Sequence, residues 1–323
     1  MLRRRLMRLF ERWALEAVAE RVEYWLAGSR LEQWQVSYQL ARQHFPEEYQ
    51  RMLRLPRPAY VRLVLNNEFP RTQVTTRLGG RGVSFGPFGS RAIAEQFEGE
   101  MLDLFQLRRC QEDLTPSPEH PGCIYGEMQK CLRPCQQAVS VEEYASEAGR
   151  VREFLTQRGA RLLEAAALAR ERASEELDFE TAAREHARYE RVQAVLRGAG
   201  ELPRDVERLD GVAVTASVEP MSVELWFMRG GMWTGARRFS VAPVGGKTVS
   251  LDARLKELVA GVEAVPGTVL ERQEHLGLLA KWYYSSWRDG EWLAIDSWAE
   301  APYRKLVNAI HRVARGAAGA TGW

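Results

Sequence analysis

Apolar residues in the first fifty positions recur with a helical period. Leu6, Leu9, Phe10 and Trp13 stand at i, i+3, i+4 and i+7, and Leu31, Trp34, Tyr38 and Ala41 nearly repeat the pattern. Helices that pack these faces into a core are expected. Pro56 and Pro58 break the period, and two β-rich runs follow, "AYVRLVL" and "RTQVTTRL", with the turn-like "NNEFP" between them. "FGPFGS" reads as a Gly/Pro loop, Ser90 as an N-cap, and "RAIAEQFEGEMLDLFQL" as an amphipathic helix that delivers the chain to Cys110.

From Val141 to Leu196 the sequence is rich in Ala, Glu and Arg and almost free of Gly and Pro, which predicts long helices with a charged outer face. A break falls at "ELDFE", where Asp178 can cap a second helix starting near Phe179, so a helical hairpin is expected. After the linker "RGAGELPRD" come "GVAVTASV", "SVELWFMR" and "WTGARRFSV", with Gly230 and Gly231 between the last two, a β-meander by pattern. Helices are expected near 251–264, 272–286 and 301–315, and a fraying Gly/Ala tail after them. The fold class is α+β and multidomain: a small α+β module over 1–89, a cysteine-rich region over 90–140, a helical hairpin over 141–197, and a β-meander with helices over 205–323.

Composition narrows the class. With 45% hydrophobic and 27% charged residues, the chain is neither disordered nor a membrane protein by type. No apolar run reaches the ~18 residues of a membrane span, and the basic start "MLRRRLMRLFERW" is interrupted before it could form a signal peptide. A cytoplasmic location and no membrane partner are therefore expected. Net charge is only +2, so contact with nucleic acid would rest on local patches. Arg3, Arg4, Arg5 and Arg8 form one, and Arg51, Arg54, Arg57 and Arg62 another. Arg3, Arg4, Arg54 and Arg57 are the candidate DNA contacts, although patches of this size more often serve as solvated faces.

All four cysteines fall in one stretch with the spacing C-x12-C-x7-C-x3-C: Cys110, Cys123, Cys131 and Cys135. Pro118, Pro121, Gly122 and Pro134 keep the connecting chain irregular, as a loop folding around a metal requires. Four thiolates suit a tetrahedral zinc or an iron-sulfur cluster, and spacing alone does not separate the two. Two disulfides rank third, because a reducing compartment disfavours them.

"FGPFGSRAIAEQFEGEMLDLFQLRRC", the cysteine spacing and "VSVEEYASEAGRVREFL" together resemble the central part of UvrC, the dual-nuclease subunit of bacterial nucleotide excision repair. "YVRLVLNNEFPRTQVTTRL" is similar to the end of that family's GIY-YIG nuclease domain, and "ASEELDFETAAREHARYERVQAVL" to its UVR motif. The resemblance extends to about Tyr284. It implies a four-iron four-sulfur cluster on Cys110, Cys123, Cys131 and Cys135. It also implies a partner-binding hairpin, in which Phe179, Glu180, Ala182, Ala183 and Arg184 match the motif's "FExAAxxR". The usual "RD" pair is "RE" here, through Glu185. Phe179 has two possible places, in the hairpin's own core or exposed to a UvrB-type partner; the length of the match favours the second.

The nuclease signature is thin. A GIY-YIG enzyme needs tyrosines, an arginine and a glutamate around one Mg or Mn ion. Arg5 matches the family's catalytic arginine, but its "SYF" tyrosine is replaced by Leu9, its metal glutamate by Ser37 with Glu32 nearby, and the asparagine of its "YN" by Gln50 after Tyr49. The signature tyrosines are absent from this sequence. The 36 residues after Trp287 (288–323) are too few for the family's ribonuclease-H-like domain, which needs well over ~100, and His311, Asp289 and Asp296 read as solvated side chains. The leading expectation is a UvrC-like repair protein that binds DNA and a UvrB-type partner without cutting by itself. Two alternatives remain open: a single-cut metal-dependent endonuclease using Arg5, and a metal- or redox-sensing DNA-binding regulator.

Overall fold

The first periodic stretch does form a helix, α1 (Leu2–Trp13), but its apolar side finds no core. Met7, Leu9 and Trp13 are exposed, as are Val18, Val22, Tyr24, Trp25 and Leu26 after it, so the expected core role fails there. The second stretch, α2 (Arg30–His44), starts at Ser29, whose hydroxyl accepts from the Glu32 N–H. It buries Leu31, Tyr38 and Ala41 as its period demands, and the short α3 (Tyr49–Leu53) packs beside it. The structure, a computed structural model, describes residues 2–242 and 250–320.

Both predicted early strands are present as β1 (Ala59–Val64) and β2 (Arg71–Thr75). A third, β3 (Gly82–Phe88), lies inside what the sequence suggested was a Gly/Pro loop. Its register with β1, from Val64 against Gly82 to Ala59 against Phe88, turns Val83, Phe85 and Phe88 into the core despite the glycines. Helix α4 (Arg91–Leu102) begins at Ser90, whose hydroxyl accepts from the Ile93 N–H, and stacks Phe97 on Phe85 with ring centres 5.0 Å apart. Past the cysteine region, with its single turn α5 (Ile124–Glu127), come α6 (Val141–Thr156), α7 (Ala160–Glu175) and α8 (Phe179–Ala199). The expected two-helix unit thus has three helices. Arg158 and Gly159 take left-handed backbone, φ 50° and 69°, and end the first helix where the scarcity of Gly and Pro suggested continuity.

Then β4 (Arg204–Asp205) returns to pair with β3, completing an antiparallel sheet of order β2-β1-β3-β4. One core joins this sheet to α4, α6 and the last turns of α8 through Val61, Phe85, Phe97, Tyr144, Phe154 and Val195. The boundaries expected at residues 89 and 140 therefore run through shared hydrophobic packing.

The meander forms as β5 (Gly211–Ala216), β6 (Ser222–Arg229) and β7 (Met232–Ser240), turning on Gly230 and Gly231 at φ 56° and 74°. Positive φ at both turn positions is the geometry a two-residue hairpin needs, and glycine adopts it without a steric penalty. Helices α9 (Leu251–Ala260) and α10 (Val269–Tyr283), strand β8 (Glu291–Ala294) and helix α11 (Tyr303–Ala320) complete the described chain. The unanticipated β8 pairs with β5, giving the order β7-β6-β5-β8. Alternation assigns the faces: Val212, Val214, Leu225 and Phe227 meet α9 and α11, whereas Ala213, Trp226 and Met228 meet α10 and Leu31 of α2. With both faces covered, β6 is buried along nearly its whole length. The tail expected to fray is helical to Ala320, and residues 321–323 lie outside the described residues. No described helix is long and apolar enough to cross a membrane.

Candidate functional site

Three regions carry the residues singled out in the sequence. In the first, the chain leaves α4 and runs inward, burying Leu107 and Arg108. Arg108 is only 2% exposed and organises the loop. Its Nε donates to the Phe69 carbonyl at 2.9 Å, and its Nη1 donates to the Glu112 carbonyl at 2.7 Å and to Cys110 Sγ at 3.5 Å. Cys131 Sγ accepts the Arg133 N–H at 3.4 Å, and the Cys135 carbonyl accepts the Ser117 N–H at 2.9 Å, tying the two ends of the loop together. Left-handed residues at Gln129, Arg133 and Gln137 make the turns tight enough for this path.

All four thiols are free; Cys131 and Cys135 are buried, Cys110 is half-buried, and Cys123 is exposed. Burial pushes the Cys131 thiol up to about 11, and negative charge on Cys110, Cys123 and Cys135 adds to the shift. Cys135 is raised by burial and by Cys110 and Cys123. The four sulfurs thus share one electrostatic neighbourhood, where ionising them together calls for a compensating positive centre. Among the described residues, no three His, Cys, Asp or Glu side chains stand close enough to enclose a metal ion as they lie. The donor chemistry fits a thiolate-ligated centre, while the loop, with Cys123 outside, would have to close around it.

The second region is the hairpin. The Asp178 carboxylate accepts the Thr181 N–H at 3.0 Å and sets the start of α8. This cap holds its own carboxyl below the usual carboxylate range. Phe179 is 72% exposed and Leu177, beside it, 71%. The alternative that placed Phe179 in the hairpin's own core is therefore excluded by geometry. Glu180 and Arg184 are exposed on the same helix, and Arg184 donates to the Thr181 hydroxyl at 3.2 Å. At the other end, Val192, Val195 and Ala199 anchor α8 in the first core, so the apolar tip is held out from a fixed root.

The third region holds the nuclease-like positions. Arg3 and Arg5 lie on α1, with side chains outside those described; Arg4 is exposed. Ser37 donates its hydroxyl to the Gln33 carbonyl at 2.8 Å within its own helix, and Glu32 accepts the Gly28 N–H at 2.7 Å. A carboxylate that the sequence did not single out enters from α10. Glu274, 6% exposed, accepts from Tyr38 at 2.7 Å, Tyr49 at 2.8 Å and Gln50 at 2.9 Å. Burial, the hydrogen bond to Glu274 and its charge all raise Tyr38 above the ordinary tyrosine value, so its hydroxyl stays a donor. The available signal was an acidic residue within the otherwise apolar run of α10. Arg54 and Arg57 are exposed without an ion-pair partner among the described residues, whereas Arg51 pairs with Glu48 at 3.0 Å. Asp289 is not simply solvated: it accepts from the Arg30 N–H at 2.6 Å and from Trp282 Nε1 at 3.0 Å.

Comparison with known proteins adds a family relation. The family model described as "UvrC/Cho excinuclease, middle domain" matches residues 60–154, a segment that includes β1–β3, α4 and all four cysteines. The UvrABC system protein C of Ruminiclostridium cellulolyticum is 27% identical over 232 residues, covering 69% of this chain and 37% of its own length. The proteins of the same name from Moorella thermoacetica and Acetivibrio thermocellus are 28% and 24% identical over 80% and 83% of this chain. The chain spans 37% to 44% of the length of these three relatives. No solved structure matches it.

Proposed function

Since this chain belongs to the UvrC family, we propose that it acts in nucleotide excision repair as a docking and DNA-facing scaffold rather than as a nuclease in its own right. The observation that carries this reading is the hairpin tip, where Phe179 and Leu177 face solvent above a root fixed in the core. A monomeric surface gains nothing from two adjacent large apolar side chains at the end of a projecting element, but a partner can cover them. Glu180 and Arg184 flank the tip with both charge signs, which suits a self-similar helical hairpin on a UvrB-type protein. Exposed Arg4, Arg54 and Arg57 are the residues proposed for the phosphate backbone of DNA, with Arg3 on the same helix as Arg4.

Cys110, Cys123, Cys131 and Cys135 are proposed to hold a four-iron four-sulfur cluster, with zinc as the alternative. Either centre would supply the positive charge that lets the crowded thiols ionise. Arg108 and the Arg133 N–H, which already donate to two of the sulfurs, would steady the thiolates.

The absence of independent cutting is proposed from chemistry. Ser37 is bonded within its own helix, and both oxygens of Glu274 already accept from Tyr38, Tyr49 and Gln50. Neither group offers an ion-binding carboxylate edge. The test is equilibrium binding of the full chain to a UvrB-type protein with and without that protein's C-terminal helical motif. Binding that depends on the motif supports the reading, and indifference to its removal refutes it.

A further inference from the structure

A cavity of about 500 Å³ opens where the α6–α7 turn, β4, β8 and the start of α11 meet. Arg158, Arg204 and Trp292 line it. Arg204 is only 8% exposed, and its guanidinium donates to Asp296 at 2.7 Å and to the Glu201 carbonyl at 3.3 Å. Arg158 donates to the Gly200 carbonyl. These bonds leave three donors over. Arg158 Nε, Arg204 Nε and Trp292 Nε1 are shut off from solvent and bonded to nothing. Folded proteins rarely leave buried donors unpaired, and an unpaired donor on a buried cation is less favourable still.

The charges point the same way. The two guanidiniums are near enough that burial and Arg204 together hold Arg158 below the ordinary arginine value. Lys305 adds a third cation to the lining. Carboxylates are present too, but Asp296 is engaged by Arg204, and Glu201 and Glu300 are exposed residues. The buried wall therefore presents donors and positive charge, and the exposed residues around it are mixed. Arg158 also takes left-handed backbone, φ 50°, where a glycine or asparagine would be favoured.

We propose that this cavity binds a phosphate group, with Arg158, Arg204 and Trp292 donating to its oxygens and Lys305 balancing its charge. Unpaired donors arriving from three separate elements, with a further cation beside them, match a tetrahedral oxyanion better than a flat carboxylate with two oxygens. The phosphate can come from a free phosphorylated compound or from the backbone of a nucleic-acid strand; the chemistry is the same. This inference rests on the cavity alone and stands whether or not the hairpin docks on a partner.

The experiment is thermal unfolding and equilibrium binding of the full chain with inorganic phosphate against chloride at matched ionic strength. Phosphate raises the melting temperature with concentration, and chloride does not. Arg158→Met weakens phosphate binding by about tenfold through loss of a charge-assisted donor. Asp296→Asn, at an exposed position, releases Arg204 from a competing carboxylate and tightens binding about threefold, within the usual range for such pairs. No phosphate-specific stabilisation of the unaltered protein, or the same affinity in both variants, overturns the proposal. Thymidine monophosphate and a short single-stranded oligonucleotide then compete for the site: displacement by both at similar phosphate concentration assigns a free phosphorylated compound, and displacement by the oligonucleotide alone assigns a strand.

Discussion

Replacing Phe179 with alanine removes a ring that the fold itself hardly uses. A phenylalanine can bury on the order of 150–250 Å², and with Phe179 72% exposed roughly 140 Å² is left for a partner to cover. At about 25 cal/mol per Å² this sets a ceiling near 3.5 kcal/mol. Alanine retains part of that surface and a partner rarely covers a ring completely, so the expected loss is about 2 kcal/mol, or roughly thirtyfold in Kd. The folded chain should hardly notice, with melting changed by no more than about 0.5 kcal/mol as for other exposed positions. Isothermal titration of the full chain against a UvrB-type protein measures the first quantity, and thermal unfolding the second. A variant of unchanged stability that binds as tightly as the original refutes the docking role of the tip. Raised ionic strength should also weaken binding through Glu180 and Arg184, by less than the ring does.

Anaerobically purified protein should be brown with about four irons per chain, and Cys131→Ser or Cys135→Ser should lose metal and melt earlier; one equivalent of zinc and no iron after anaerobic reconstitution would refute the cluster. His275 accepts the Trp233 N–H at 3.0 Å on Nδ1, and burial, with the charge of Arg42 adding to it, holds its pKa down at about 4. The unfolded chain, with a histidine near 6.5, takes up a proton that the folded chain refuses, so stability should fall as pH drops from about 6.5 to 4, by at most about 3 kcal/mol. His275→Asn should flatten that window in pH-dependent denaturant titrations. Damaged duplex DNA incubated with the chain alone and magnesium or manganese should stay uncut; a metal-dependent nick abolished by Arg5→Ala would restore the endonuclease reading.

Local patterns sufficed where one element's own period or cap sets the outcome. The buried face of α2, the Ser90 and Asp178 caps, the glycine turn at 230–231 and the alternating meander all follow from residues within a few positions of one another. The cysteine cluster was legible for the same reason, because its spacing lies in one short stretch. Tertiary structure decided what depends on distant partners. β3 hid behind Gly82, Gly86 and Pro87 because its strand character comes from β1 and β4 on either side, not from propensity. The apolar stripe of α1 promised a core, yet a stripe states only what a helix could bury, not that a neighbour exists to cover it. Phe179 was ambiguous in sequence, and only the packing of α7 and α8 left it outside. Glu274 meets Tyr38, Tyr49 and Gln50 across more than 220 positions, and Arg158 meets Arg204 and Trp292 in a cavity shared by elements far apart in the chain. Contacts of that kind form only when separate elements close on one another, and no local period records them.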